Sequence, residues 1–507
     1  MAKYFTTQNG LCLTAPLVGA VVAVGIRGEW NGLLFVMFVM ALGIFSFNTI
    51  VMARDVVLQF LLGVGFYAVA FQGLLGPLDG AFGGIWLLLT LTYTVLQVAF
   101  VYLSSVLIRN QSCRAILLPF AVVSWEFFRH HVTKLYDGAG LTFCLLGQAP
   151  ASDFYLLQSA DIGGVWLLSF YCSSLGMAIG LWFVQRISNR FRIGYACTVT
   201  LAFIGGYSYG IFCSANRDKV ASRDSLLVYV CAQAPRLSQL SAIKDSIEAH
   251  NRDASNQVIV VYPETCFRWN ANNVPSGEQL AVLQLASIPS VTVVSGVWYP
   301  SGNGLYRNAC AVVQGGEVKA VVDKLHLAPF VESKPIGTNW LVAAGLVLET
   351  ATRNVAAVEP IDYSLWENYD LRLIPSVCYD IYFGDTYRRF TDRTVGVSIC
   401  CMDETFDKTG DFQKLAQVHS RLRAVETRQP MIRSSLGGTS GVTDYDGREI
   451  HPSEVQQHYS IFQVKPRYAT TLFERWGDWF PMLCCLICVG VVLSCRLFES
   501  QENIEPR

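Results

Sequence analysis

Three side chains in this sequence stand where a carboxylate, an amine and a thiol can be brought to one point. Glu264 follows the apolar run Val258 to Tyr262, Lys324 opens the string Lys-Leu-His-Leu-Ala-Pro-Phe-Val-Glu, and Cys378 follows the run Leu371 to Val377. Short apolar runs of this kind read as strands, and open α/β sheets set their reactive groups at or just beyond strand ends. A thiol with an ordinary pKa of ~8.5 needs a base or a cation beside it to attack an ester at neutral pH. A fixed ammonium next to the developing negative charge lowers the barrier further. The chemistry these parts imply is acyl transfer through cysteine. Taken singly, each has a plainer reading: a cysteine after a strand packs in a core, and a lone Glu or Lys is a solvated charge.

The elements that must position them lie between about Asp224 and Phe473. There, β-rich runs (Leu226 to Cys231, Val258 to Tyr262, Val291 to Trp298, Leu371 to Val377, Val395 to Cys400) alternate with helical segments such as Glu278 to Ser287 and Asp411 to Thr427. That alternation predicts a layered α/β domain. The rest of the 507 residues is different in texture. The chain is 52% hydrophobic and 15% charged, too apolar for an ordinary soluble protein, and a membrane class follows. A net charge of -1 supplies no basic stripe, which sets nucleic acid aside as a partner. The 16 cysteines are scattered, without paired CxxC motifs or zinc-type Cys/His spacing, so no metal site is expected.

Seven apolar stretches precede the α/β region: Leu11 to Ile26, Gly32 to Ile50, Val56 to Leu75, Gly83 to Ile108, Ala115 to Phe128, Gly163 to Val184 and Gly194 to Cys213. Several approach the ~20 residues that a spanning helix needs. The first lacks the basic start and cleavage site of a signal sequence and is expected to be retained. An eighth run, Phe480 to Cys495, comes after the α/β region. The expected layout is a transmembrane domain over 1-215, an α/β domain over 224-473, a final span over 479-496 and a tail over 497-507. With the amino terminus in the cytoplasm, Lys3, Arg54, Arg109, Arg114, Arg186, Arg190, Arg192, Arg496 and Arg507 fall inside, against Arg27, Arg129 and Lys134 outside. Nine against three turns the α/β domain away from the cytoplasm and makes the tail cytoplasmic.

The strings Tyr-Pro-Glu-Thr, Asp-Lys-Leu-His-Leu-Ala-Pro-Phe-Val-Glu and Val-Cys-Tyr-Asp, in that order, resemble the nitrilase superfamily. Within it, the chain resembles the apolipoprotein N-acyltransferase family over nearly its whole length. Further matching segments are Trp125-Glu126-x-x-Arg129, Gln158-x-Ala160-Asp161-x-Gly163-Gly164, Leu422 to Thr427, Pro430 to Arg433 and Thr471 to Asp478. The resemblance implies an α-helical polytopic membrane domain plus an α/β nitrilase-type αββα sandwich domain, in the cell inner membrane with the catalytic domain on the periplasmic side. It implies Cys378 as nucleophile, Glu264 as general base and Lys324 as the oxyanion's cation, and it gives Glu332 the part of a second glutamate that orients the lysine. Tyr379 and Asp380 would shape the oxyanion site and the acyl entry. The implied reaction moves a fatty acyl group from a phospholipid donor to the α-amine of a diacylglyceryl-cysteine lipoprotein acceptor, with no cofactor and no metal.

The sequence departs from that family at Asp380, where a glutamate is usual, at Cys400 to Glu404, and after the first strand, where Gln233 to Gln239 has no tryptophan. Other features stay open. Glu332 also reads as a surface carboxylate, Ile336 to Leu348 as an apolar lid or a core segment, and Glu126 with Arg129 as a head-group site or a simple pair. His326 and His419 read as hydrogen-bonded structural histidines, Gly437 to Gly441 as a turn, and Cys485 and Cys488 as packing. A membrane-anchored amidase using water, or a non-catalytic lipid-binding scaffold, would share part of this pattern.

Overall fold

The structure is a computed structural model that describes residues 53–70, 81–108, 110–132, 145–183, 187–216, 221–222, 224–250, 257–270, 274–301, 306–328, 332, 371–388, 395–407 and 409–502. The expected spans Leu11 to Ile26 and Gly32 to Ile50 and the segment Ile336 to Leu348 lie outside the described residues. The described residues of Met1–Thr133, Gly140–Phe212 and Trp476–Arg507 form one compact unit, and those of Cys213–Arg475 form a second.

The first unit is helical. Its long helices are Ala53–Ala70, Ala81–Leu107, Gln111–Val132, Ala160–Gly180, Asn189–Ala215 and Trp479–Glu502. Asn110 starts the third by accepting from Ser112 N (2.9 Å) and Cys113 N (3.1 Å), which satisfies two amides that a helix start leaves open. Gly164, at φ 65, kinks the fourth where the sequence has its Gly163-Gly164 pair. Ala160–Gly180 and Asn189–Ala215 are long and apolar enough to cross a membrane by length and composition. On Trp479–Glu502 the exposed apolar residues Met482, Leu486, Val489 and Leu493 recur at helical spacing, an outward stripe that water would disfavour.

The second unit is built on two sheets. In the first, β1 (Leu226–Cys231), β2 (Val258–Tyr262) and β3 (Val291–Pro300) run parallel, and β4 (Tyr306–Gln314) and β5 (Glu317–Asp323) extend it antiparallel. In the second, β6 (Arg372–Val377), β7 (Gly396–Asp403) and β8 (Met431–Leu436) run parallel, and β9 (Gly441–Thr443) closes antiparallel. β10 (Tyr459–Val464) returns to pair with β1 in the first sheet.

Alternation along these strands sends every second side chain to opposite faces, and both faces are covered. Val228, Val230, Ile259 and Val261 from the first sheet meet Leu373, Val397, Ile399 and Ile432 from the second in one core between the sheets. Leu227, Tyr229, Val258 and Val260 point the other way, onto Leu240 and Ile243 of helix Leu237–His250 and Val282 and Leu285 of helix Gly277–Ala286. Helix Asp411–Thr427 follows β7 and precedes β8, the crossover that parallel neighbours require. Helix, sheet, sheet and helix are therefore layered as an αββα sandwich. Ser276 caps Gly277–Ala286 by accepting from Gln279 N at 3.2 Å.

Candidate active site

Glu264, Lys324 and Cys378 each sit just past the carboxyl end of a strand: β2, β5 and β6 respectively. The chain has to bend sharply there. Thr265 and Cys378 adopt φ of 50° and 45°, left-handed values that strain any residue with a Cβ. Gly296 on β3 is required by the same crowding, since a Cβ there would lie 2.4 Å from Glu264 Cα.

The structure brings Glu264, Lys324 and Glu332 into direct contact. The Lys324 ammonium is 3.0 Å from Glu264 Oε1 and 2.7 Å from Glu332 Oε2, with Lys324 2% and Glu264 4% exposed. Asn308 Nδ2 closes the circle, donating to Glu264 Oε1 and Glu332 Oε1 at 2.7 Å each. Both carboxylates are also fixed by backbone: Asp403 N donates to Glu264 Oε2 at 2.9 Å, and Ala328 N donates to Glu332 Oε2 at 2.8 Å. Two cationic or amide donors thus alternate with two carboxylates, the arrangement that makes buried charge tolerable. Glu332 is half-buried in this ring and is not a surface charge.

Electrostatics follow from the geometry. Burial raises the Glu264 carboxyl above its ordinary 4.5, and Lys324 opposes it only in part. Burial alone would lower Lys324, but Glu264, Glu332 and Cys378 together hold the ammonium well above its usual value. Cys378 is partly exposed, and its thiol is pushed up by burial and by Glu264, with Lys324 pulling it down. The resting site therefore pairs a protonated thiol and a permanent ammonium with a carboxylate of raised basicity, which suits proton transfer out of the thiol.

Asp380 is fully buried and works as a knot. It accepts from Leu325 N (3.2 Å), His326 N (2.9 Å), the His326 ring at Nδ1 (3.0 Å) and Val377 N (3.1 Å). The His326 ring lies flat on Phe383, with centroids 3.8 Å apart and an interplanar angle of 2°. Tyr379 is buried among Tyr382 and Phe383. Cys400 donates to Cys378 O at 3.8 Å, and the described cysteines are free thiols. In the helical unit, Glu126 Oε1 accepts from Leu146 N, at 2.6 Å, and Arg129 lies over the rings of Tyr93 and Tyr67 at 5.7 and 6.0 Å. No group of three or more His, Cys, Asp or Glu among the described residues is arranged to hold a metal.

Asn308 is the member of the ring that sequence reading missed. A signal existed, a lone amide inside the strand run Tyr-Arg-Asn-Ala-Cys-Ala-Val-Val, where a buried polar side chain demands a partner.

The layered sheets bring a carboxylate, an ammonium and a thiol to the carboxyl ends of their strands. Among solved structures, Saccharomyces cerevisiae Nit3, a nitrilase-superfamily member, matches 48% of this chain and 91% of its own at 14% identity and a TM-score of 0.34, and a Nesterenkonia AN1 amidase mutant matches 51% and 97% at 16% and 0.34. The chain is similar to apolipoprotein N-acyltransferases. That of Gloeobacter violaceus is 24% identical over 68% of this chain, that of Allorhizobium ampelinum 25% over 66%, and that of Thermotoga maritima 27% over 42%. The chain spans 66%, 63% and 41% of the length of those three relatives, less than two thirds of each. No family model matches it.

Proposed function

We propose that the chain transfers a fatty acyl group from a phospholipid to the α-amine of a diacylglyceryl-cysteine lipoprotein, with Cys378 as nucleophile, Glu264 as general base and Lys324 as oxyanion cation. The observation that carries this reading is the buried Glu264–Lys324–Glu332–Asn308 ring beside the strained Cys378 turn. Similarity to apolipoprotein N-acyltransferases supplies the substrate class.

Cys378 Sγ attacks the ester carbonyl while Glu264 takes its proton, and Lys324 faces the oxyanion. Collapse breaks the ester bond, and Glu264 returns the proton to the leaving lysophospholipid oxygen. The amine then attacks the thioester, gives its proton to Glu264, and the thiolate leaves and is reprotonated. Thioester chemistry needs no cofactor. Glu332 orients the ammonium, and Tyr379 and Asp380 shape the turn around the nucleophile. In this reading 1-215 and 479-496 are membrane-spanning, 497-507 is a cytoplasmic tail, and 224-473 is the extracytoplasmic catalytic domain of a multi-pass inner-membrane enzyme. Anchoring suits two lipid substrates.

The test is incubation of purified protein with labelled phospholipid and no acceptor. A stable adduct on Cys378, released by neutral hydroxylamine and discharged by a diacylated lipopeptide with a free α-amine but not by a blocked one, is expected. Steady release of free fatty acid without a trapped adduct would make it a hydrolase and overturn the transferase reading. Topology has its own check: a reporter after Arg496 should read cytoplasmic and a tag near Asn303 should be reachable from outside, and a cytoplasmic tag at Asn303 would overturn the orientation.

A further inference from the structure

The segment carrying Lys324 and the turn carrying Cys378 are more than fifty residues apart in the chain, yet the reaction proposed above needs ammonium and thiol at a fixed separation. A single carboxylate joins them. Asp380, in the nucleophile turn, holds Leu325 N and His326 N on the lysine side and Val377 N on the cysteine side. Having one methylene less than a glutamate, it has little slack, and its remaining strong partner is the His326 ring, 4% exposed, at 3.0 Å. An ionised carboxylate only accepts, so Nδ1 carries the hydrogen. Stacking on Phe383 fixes the ring plane, with Thr386 Oγ1 3.4 Å from Nδ1 and Asp385 Oδ1 3.7 Å from Nε2.

We propose that His326 is a positioning residue: by donating to Asp380 it locks the Lys324 segment to the Cys378 turn and so sets the distance from ammonium to thiol. It acts through Asp380 and need not touch substrate. The meaning given to kcat rests on the acyl-transfer reading, whereas the alkylation measured below does not.

The experiment compares full-length wild type, His326→Asn, His326→Gln and His326→Leu in detergent. The readouts are the rate at which iodoacetamide labels Cys378, followed by mass on its peptide against a Cys378→Ala blank, and kcat and KM for transfer to a lipopeptide. Asn places an amide hydrogen where Nδ1 stands, Gln places it near Nε2, and Leu has none. His326→Asn should stay within about threefold of wild type, and Gln and Leu should lose on the order of 10- to 100-fold in labelling and kcat with KM unchanged, the scale of a reacting group displaced by about 1 Å. If Leu fails to fold, the Asn and Gln pair decides. Equal labelling in Asn and Gln, or wild-type labelling in Gln or Leu, would overturn the clamp. A wild type that shows the labelling pattern but transfers no acyl group would sink the acyl-transfer reading and leave the clamp standing.

Discussion

Two buried charge clusters in the α/β unit look alike in composition and differ in construction. Under the second sheet, Arg423 Nη2 donates to Glu426 Oε1 at 3.0 Å, both nearly inaccessible, three residues apart on helix Asp411–Thr427. Thr471 Oγ1 donates to Glu426 O at 2.6 Å, and Gly384 packs so closely that a Cβ would lie 2.7 Å from Arg423 Nη1. One helix supplies both charges, so the pair forms wherever the helix does. The Glu264 ring draws its four members from four separate stretches, at 264, 308, 324 and 332, and exists only when the whole sandwich has formed. Positive φ does not tell the clusters apart: Arg428, at 52°, ends the helix as a left-handed C-terminal cap, while Cys378, at 45°, follows a strand and aims a thiol. What separates them is a thiol beside the charges, Cys378, the proposed nucleophile.

The comparison breaks first at the ring. Cys378→Ala should abolish the acyl adduct while leaving the protein folded, since a partly exposed thiol contributes little to packing; any hydroxylamine-labile adduct in that variant would refute the assignment. Lys324→Ala removes the cation proposed for the oxyanion and should slow adduct formation by about 10²–10³-fold, the usual size for one lost donor. Glu264→Gln should depress thiol attack. In wild type the rate should fall with acid as the Glu264 carboxyl protonates above its ordinary 4.5, and persistence of that acid limb in Glu264→Gln would move the base elsewhere. Arg423→Met, by contrast, takes a buried ionic partner from Glu426 and should cost about 3–5 kcal/mol of stability. Folded Arg423→Met should label Cys378 at the wild-type rate, and a slower rate would mean that the two clusters are coupled. Asn308→Ala sits between the two. It takes one donor from each carboxylate and should cost about 1.5–3 kcal/mol per lost charged hydrogen bond, seen in thermal unfolding, and an unchanged melting temperature would show that the ring closes without it.

The same contrast explains how much was legible. Glu264 and Cys378 were visible because each follows an apolar run that a strand requires, Lys324 because it opens the string Lys-Leu-His-Leu-Ala-Pro-Phe-Val-Glu, and the strands Leu226–Cys231 and Val258–Tyr262 fall where the runs predict them. The hairpin Tyr306–Gln314 and Glu317–Asp323 was not read, although Gly315-Gly316, at φ 62° and 74°, is the turn such a hairpin needs. Missing that hairpin meant missing Asn308. Glu332 stayed undecided because a carboxylate shows its burial only once its partners are assembled. Asp380 read as shaping the oxyanion site and the acyl entry, but its hold on Leu325 and His326 is a long-range contact that no local pattern encodes. The structural readings of His326 and His419 agree with burial of both rings.

The smallest effect concerns His419, which belongs to the local cluster. The ring is fully buried, edge-on to Tyr382 at 4.9 Å, and burial, then the Arg423 charge, hold its pKa well below the ordinary 6.5. It therefore stays neutral in the folded protein. As pH falls below 6.5 the unfolded chain takes up a proton that the folded chain refuses, so stability is present above that value and is lost progressively below it. At pH 5.0 the loss from this one group is about 2 kcal/mol relative to pH 7.5, from about 1.4 kcal/mol per unit. Glu264 and Glu404, whose carboxyls are raised by burial, act in the opposite sense over the upper part of their own range above 4.5, so the total slope is not diagnostic. His419→Gln isolates the term, because Gln cannot titrate and leaves both glutamates in place. Its deficit against wild type, measured by denaturant unfolding in detergent, should shrink by about 2 kcal/mol between pH 7.5 and 5.0. A deficit that stays constant would mean that the folded protein protonates His419 as readily as the unfolded chain does, and burial would then not hold the ring neutral.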